Sequence, residues 1–526
     1  MSGSFAAILE RRLRDSADRP FITCGTDTLT YGEFAEQLER VTSALSALGI
    51  RKGERICLFL PNGLPFVLTM FAAARLGAVF VPAHPQFTAR ELRYELEHAD
   101  VVMVLTDAER LPLVTEARKD CPLVRQIIVA GEHARGDDLP FSALLEKSAS
   151  SDLRSRVDET DAAAIMYTSG TTGPPKGAVL THRGYTMNAQ AFAQRTLLSR
   201  DDVLLCVLPL AHLNAQRSSL LPAALVGAHL ILEERFSAGG FWPLVRHRNV
   251  SFFSIMPAIV SILLRQPPSR LDTEHRVRLC VTPITLPLLE AFEERFAVQV
   301  VNTYGLTEGM LNVMNFVETG RRRREAVGKP LLPDVHEIRI LGDNDEPLPA
   351  GESGEIALRS PAMMAGYHKD PEATARTLRN GWLHTGDLGF LDEEGFLYFT
   401  GRKKEMIRRA GENIAPGEIE MVLAEHSAVQ EAIVVGVPDP VREEEVKACI
   451  ILCEGQDEVR TPPASLIEHC SQRLAAFKVP RYLEYRSEFP RTPATLRVRR
   501  GELQTLSPAS GIRLYDRMED RWLESR

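Results

Sequence analysis

Several classes of protein are excluded by what this 526-residue sequence lacks. No Cys-x-x-Cys pair occurs among its eight cysteines (Cys24, Cys57, Cys121, Cys206, Cys280, Cys449, Cys453 and Cys470), so neither a disulfide scaffold nor a zinc site is indicated. They read instead as buried reduced thiols of a cytoplasmic protein. No basic stripe is present either: 62 Lys and Arg against 70 Asp and Glu are mixed along the chain, for a net charge of −8, and nucleic acid is not an expected partner. Arg11, Arg12 and Arg14 follow a short mild segment without the apolar core of a signal peptide. The apolar run Pro65 to Ala83 is broken by Arg75, so no transmembrane segment is expected. Solenoid-period repeats and low-complexity tracts are missing too, and the four arginines Arg321 to Arg324 read as a solvated loop.

What is present is an ordinary globular composition, 44% hydrophobic and 25% charged, on a chain too long for one core. Two unequal domains are expected. Phe34, Leu38, Val41, Leu45 and Leu48 recur at helical spacing behind a capping-box signal, Thr30-x-x-Glu33, and ahead of Gly49. The apolar strand Ile56 to Leu60, closed by Pro61-Asn62-Gly63, leads through another helical stretch to the strand Ala78 to Val81. Strand, helix, strand implies a parallel sheet with helices on its faces. The alternation runs to about residue 400, where Gly401-Arg402-Lys403-Lys404 makes a polar break. The boundaries drawn are therefore 1–401 and 402–526.

The segment Tyr167-Thr168-Ser169-Gly170-Thr171-Thr172-Gly173-Pro174-Pro175-Lys176-Gly177 follows the apolar strand Ala162 to Met166. Read as residues alone, it is either a flexible surface turn or a loop whose backbone N–H groups cradle a polyphosphate. It is not a Walker loop, which needs Gly directly before its Lys and Ser or Thr directly after; here Pro175 and Gly177 stand there. The segment resembles the phosphate loop of the adenylate-forming superfamily, which includes acyl- and aryl-CoA synthetases, peptide-synthetase adenylation domains and firefly luciferases.

Three further segments resemble that family, in family order. Asn302-Thr303-Tyr304-Gly305-Leu306-Thr307-Glu308 is similar to the element whose aromatic ring lies against adenine, whose Thr contacts phosphate and whose Glu helps hold magnesium. His384-Thr385-Gly386-Asp387-Leu388-Gly389 is similar to the segment whose Asp grips the ribose hydroxyls, a task for a group that accepts two hydrogen bonds at once. Gly401 to Ile407 followed by Gly411 to Glu420 resembles the hinge and the pantetheine-tunnel segment, with Arg402 touching the nucleotide, Gly411 lining the tunnel and Lys404 at the hinge. His212 resembles the His at the acyl-site gate, the alternative being a satisfied core His. Within the family the chain looks closest to the carnitine and crotonobetaine CoA ligases, through Phe241-Trp242, Gln266 to Ser269 with His275-Arg276, and Ala476 to Glu484.

The resemblance implies a large N-terminal domain of parallel-sheet αβα layers with a β-barrel-like subdomain, and a small mobile α+β C-terminal domain. It implies an ATP-dependent, AMP-forming ligase that adenylates a small carboxylic acid and passes the acyl group to coenzyme A. The catalytic set is then Lys176, His212, Thr307, Glu308 and Arg497. The nucleotide and CoA contacts are Thr168, Ser169, Gly170, Thr171, Thr172, Gly173, Asn302, Tyr304, Gly305, Thr307, Asp387, Arg402 and Gly411, with Mg²⁺ at Thr168 and Glu308. Two departures stand out. Cys280-Val281-Thr282-Pro283 replaces the family's Gly-Gly-Ala-Pro beside the acyl pocket, and Pro490 to Arg497 lacks the family's closing lysine, leaving Arg497 as its stand-in. Transfer to an acyl carrier protein or amine, activation of an unusual oxyanion, and a non-catalytic nucleotide-binding relative remain the alternatives. A monomer or a homodimer is expected.

Overall fold

The computed structural model describes residues 3–131, 138–146, 156–168, 174–317, 320–409, 412–414, 416–440, 442–474, 476–492, 498–506 and 513–523. The capping box forms as read: the Glu33 N–H donates to Thr30 Oγ1 at 3.2 Å, and the Glu33 carboxylate accepts the Thr30 N–H at 2.8 Å. The helix it starts, Tyr31–Ala47, buries Phe34, Leu38, Val41 and Leu45. Strands Arg55–Phe59 and Val79–Pro82 lie one residue from the expected positions and pair in parallel, Ile56 opposite Phe80. Between them the helix Leu64–Leu76 is buried almost throughout, which explains why the run is apolar on all sides. Arg75, the residue that breaks it, pairs with Glu39 at 2.8 Å. Among the described residues no helix is long and apolar enough to cross a membrane.

Two large sheets form the layered part of the molecule. The first runs Gly366–Tyr367, Lys176–Thr181, Ala162–Thr168, Val79–Pro82, Arg55–Phe59, Val101–Asp107, Gln126–Ala130, Leu139–Pro140. The second runs Gln299–Val301, Leu279–Val281, Phe252–Ser254, Val203–Cys206, His229–Leu232, Pro20–Cys24, Asp27–Thr30. A third, antiparallel sheet of Glu337–Leu341, Gly354–Arg359, Trp382–Leu391, Leu378–Arg379 and Leu397–Arg402 is the barrel-like part. From residue 407 onward the chain builds its own sheet around the long hairpin Val429–Asp439 and Glu443–Leu452, flanked by helices Pro416–Ala424 and Pro463–Ser471. That sheet has a separate core including Ile407, Ile419, Val434, Val446 and Leu466. Lys447 and Glu484 are fully buried there and pair at 2.7 Å.

One expectation holds only in part. The arginine run is a loop with Arg321 and Arg323 exposed, but Arg322 donates to Glu293 at 2.7 Å and to the Val300 carbonyl at 2.9 Å, and Arg324 reaches Glu293 at 2.6 Å. Arg323 pairs with Glu394, and Arg321 lies 4.8 Å from the Phe316 ring centroid. The cause is Glu293, a largely buried carboxylate on the helix Leu286–Phe296 whose charge needs compensation at close range. The eight cysteines are all unpaired; Cys24 and Cys453 are partly exposed and the other six buried.

Candidate functional site

The phosphate-loop segment is the tip of an antiparallel hairpin. Thr168, at the end of the strand Ala162–Thr168, stands in register with Lys176, the first residue of Lys176–Thr181. Ser169, Gly170, Thr171, Thr172 and Gly173 lie outside the described residues, but their two stems are firmly held. The Tyr94 hydroxyl donates to the Pro175 carbonyl at 2.8 Å, and the Tyr167 hydroxyl lies 2.8 Å from His98 Nδ1. The His98 ring is stacked on Tyr94 with centroids 5.4 Å apart. Burial first, and the Lys369 charge second, lower the His98 pKa, so this support is neutral near pH 7. No sequence motif marked Tyr94 or His98.

The second element, Thr303–Leu306, turns at Thr307-Glu308-Gly309 into the antiparallel strand Met310–Met314. Gly305 sits where a Cβ would come within 2.5 Å of the Met310 carbonyl oxygen, so the hairpin closes only with glycine there. The turn brings Glu308 to the phosphate loop. Its Oε1 accepts the Tyr367 hydroxyl at 2.8 Å and lies 3.4 Å from Thr168 Oγ1. Lys176 Nζ stands 5.1 Å from the Tyr367 ring centroid. Thr168, Lys176, Glu308 and Tyr367 therefore form one cluster, with Tyr367 the member the sequence did not disclose. Tyr367 is there because its strand adds to the sheet edge, paired with Ala178.

A second cluster forms around Asp387. Gly386 takes a φ of +69°, and Asp387 then pairs across the barrel-like sheet with Arg402. The nearly buried Asp387 carboxylate accepts the Tyr304 hydroxyl at 2.8 Å and lies 3.2 Å from Arg402 Nε. Burial and the Asp387 charge push the Tyr304 phenol well up, keeping it a neutral donor. Phe399, partly exposed, faces Tyr304 at 6.0 Å between centroids. Asn302 spends its amide on the chain itself: Oδ1 accepts the N–H of Ile284 and Thr303 at 3.0 and 2.9 Å, and Nδ2 donates to the Ile284 carbonyl at 2.9 Å. It shapes the turn rather than facing open space.

His212 stands directly before the short helix Leu213–Ala215 and lies 5.2 Å, ring to ring, from His84. Burial, then the neighbouring His212, lower the His84 pKa to about 4. The loops after Val203–Cys206, Phe252–Ser254, Leu279–Val281 and Gln299–Val301 all leave the carboxyl edge of one parallel sheet, the edge where open α/β sheets place ligands. Val281 and Thr282 are buried there, filling space that the family's glycines would leave open. Trp242, by contrast, is a packing residue, stacked on Phe296 and on His275 at 4.5 and 5.0 Å. Gly411 and Arg497 lie outside the described residues, as does the Lys404 side chain.

Comparison with known proteins agrees with this geometry. The model of the AMP-binding enzyme family matches residues 9–368, and that of the AMP-binding enzyme C-terminal domain matches 418–495. The chain belongs to the AMP-binding enzyme family. A crotonobetaine/carnitine–CoA ligase of Salmonella paratyphi A is 35% identical over 473 residues, which is 88% of this chain and 90% of the relative. The anthranilate CoA ligase AuaEII, solved with anthranoyl-AMP, superposes with a TM-score of 0.87 at 27% identity, covering 95% of this chain and 96% of that one. ATP-bound MatB from Rhodopseudomonas palustris gives 0.86 at 26%, covering 96% and 98%. The enzyme is an ATP-dependent, AMP-forming acyl-CoA synthetase.

Proposed function

We propose that the two clusters work as one adenylating site, and that the chain from 402 to 526 then turns about a hinge near Lys404 to complete thioester formation. In the first half-reaction a carboxylate oxygen attacks the α-phosphate of ATP, a P–O bond forms, and pyrophosphate leaves with its bonding electrons. Two anions must meet, so cations and N–H or O–H donors have to dominate the site. Lys176 and the hydroxyls of Thr168, Ser169, Thr171 and Thr172 steady the leaving pyrophosphate, with the backbone at Gly170 and Gly173 close to it and Thr307 on the phosphate. Asp387 accepts the ribose hydroxyls, Arg402 adjoins the nucleotide, and Tyr304 with Gly305 walls the adenine.

Glu308 and Thr168 offer a carboxylate and a hydroxyl 3.4 Å apart, a hard oxygen set that suits Mg²⁺ bound jointly with phosphate oxygens. When bound there, the ion neutralises charge on the pyrophosphate. In the second half-reaction the CoA thiol attacks the acyl carbon, a C–S bond forms, and AMP leaves. Gly411 borders the path of the thiol arm, and His212, beside His84, gates the acyl side. CoA rather than a carrier protein is the acceptor of this reading, and the compartment is the cytoplasm.

The observation that carries the reading is the meeting of Thr168, Lys176 and Glu308, three residues from two separate motifs, at one point. The test is product analysis with ATP, Mg²⁺ and a panel of carboxylic acids. The expected products are pyrophosphate, AMP and an acyl-CoA when CoA is present, and enzyme-bound acyl-adenylate when it is left out. Release of no pyrophosphate with any acid, from folded protein, would sink the proposal.

A further inference from the structure

One arginine close in sequence to the proposed gate His212 has no counter-charge among the described residues. Arg217 lies five residues beyond the gate His212, in the single π-type turn Gln216–Leu220 that follows the helix Leu213–Ala215. Such turns are rare and concentrate at functional sites. Its neighbours in sequence are spoken for: Gln216 accepts the Tyr185 hydroxyl at 2.7 Å and donates to the Leu210 carbonyl at 2.7 Å. Arg217 itself has Nε and Nη1 sealed from solvent without a hydrogen-bond partner, and no acidic side chain pairs with it among the described residues. The side chain as a whole is only partly buried, so one edge of it borders open space.

The contrast with the other arginines is sharp. Arg75, Arg295, Arg322, Arg409 and Arg481 range from buried to partly buried, and each has a carboxylate within 3.1 Å. Burying a guanidinium without a partner is among the costliest arrangements in a protein interior, so its retention calls for a compensating group that arrives from outside. Burial alone lowers the Arg217 pKa to about 10, which leaves it charged at neutral pH. Around it, Asn214 stands one turn earlier and accepts the Ser254 hydroxyl at 3.0 Å, while the two imidazoles of His84 and His212 stand at the gate. All of these are neutral or cationic.

We infer that Arg217 is the specificity residue of the acyl pocket and that the acid activated carries a second carboxylate, which pairs with this guanidinium while the first reacts. The inference rests on the adenylating reading given above. Asn214, three residues before Arg217, is tied to Ser254 at the carboxyl end of the strand Phe252–Ser254, which sets this turn at the ligand-binding edge of the parallel sheet. An acid bearing a trimethylammonium group would place like charge beside the arginine.

The test uses the full-length enzyme with ATP, Mg²⁺ and CoA. Pyrophosphate release is followed with diacids of four to six carbons, with the matched monoacids, and with a trimethylammonium acid of the same length. The expected result is a kcat/KM for at least one diacid about a hundredfold above its monoacid, the scale of one charge-assisted contact. Arg217→Met should lose that hundredfold on the diacid and leave the monoacid unchanged, while Arg217→Lys should recover part of it. Arg217→Met should also melt no lower than the parent, because it removes an uncompensated buried charge. Preference of the parent for a monoacid or for the trimethylammonium acid would overturn the inference while leaving the adenylating reading intact. A lowered melting point with equal losses on all acids would overturn it as well, by making Arg217 structural. Release with none of the acids would overturn both.

Discussion

At the scale of single residues, the nucleotide side of the proposed site has polar groups that already hold defined partners. Asp387 shows this best: its carboxylate is held between the Tyr304 hydroxyl and Arg402, and its backbone N–H donates to Thr385 Oγ1 at 3.0 Å. If Asp387 accepts the ribose hydroxyls as proposed, a carboxylate so oriented would do so without reorganising. Asp387→Ala should therefore cost about a hundredfold in kcat/KM for ATP with the fold retained, whereas Tyr304→Phe, which deletes one hydroxyl bond, should cost about tenfold. Steady-state kinetics over ATP concentration and a thermal melt of each variant check this. Near-parental turnover of Asp387→Ala would remove it from the nucleotide site.

At the scale of elements, what the sequence discloses depends on how local the cause is. The capping box at Thr30, the buried face Phe34-Leu38-Val41-Leu45 and the strand-helix-strand order are written in neighbouring residues, and they were readable to within a residue. Thr168, Lys176, Glu308 and Asp387 were proposed as site residues from contiguous motifs, and the structure gathers the first three around Tyr367 and sets Asp387 against Tyr304 and Arg402. Tyr367, Tyr94 and His98 were not readable, since each reaches the phosphate-loop hairpin only through sheet pairing or the docking of a distant helix. The arginine run misled in part for the same reason: its partner Glu293 stands 29 residues from Arg322.

The hinge is an element-scale proposal with a direct test. Leu397–Arg402 still belongs to the barrel-like sheet, Lys403–Glu405 forms a short 3-10 turn, and Ile407–Arg409 already belongs to the C-terminal sheet. Lys403 Nζ lies 3.6 Å from Asp343 and 3.7 Å from Glu355 on the near side of that turn. Rotation between two packed bodies has to be absorbed in these few φ and ψ angles. Proline at Lys404 fixes one φ, so Lys404→Pro should form adenylate at nearly the parental rate while thioester formation slows by about a hundredfold or more. Rapid-quench measurement of both half-reactions decides it, and equal slowing of the two would place the hinge elsewhere.

For the molecule as a whole, charge is balanced in ways that make it acid-sensitive. His84, His182 and His336 are buried, and burial lowers each pKa from 6.5 to about 4. His182 is also used as an acceptor, taking the Phe5 N–H on Nδ1 at 3.4 Å. Unfolding lets all three take up protons below about pH 6.5, so the stability their neutral forms support is complete above that pH and is lost as pH falls toward 4. Melting temperatures between pH 7.5 and 4.5 should fall by several degrees, mostly below 6.5. A profile that is flat or rises on acidification would contradict these environments.

The tail makes the last demand on the whole molecule, because in the proposed reaction a cation of the adenylation step comes from the C-terminal part of the chain. Two stretches of the tail pair with each other: Arg491 bridges to Val498, and the Arg499 N–H donates to the Pro490 carbonyl at 2.8 Å. This pairing is fixed by Arg491 on Glu431 at 2.7 Å. Arg500 is engaged by Glu420 at 2.7 Å and Glu405 at 3.1 Å, and Arg499 pairs with Glu502. Of the four arginines between residues 491 and 500, three thus have structural duties, which favours Arg497, outside the described residues, as the one proposed to serve the chemistry. Losing a cation whose contact strengthens as charge builds on phosphorus should cost on the order of 3 kcal/mol in the transition state, about a hundredfold in rate. Arg497→Ala should show that loss in single turnover from ATP and acid, yet react almost normally from preformed acyl-adenylate and CoA. Arg491→Ala and Arg500→Ala should instead lower the melting point of the C-terminal body and affect both half-reactions alike. If Arg497→Ala adenylates like the parent, the adenylation cation is supplied from elsewhere in the chain.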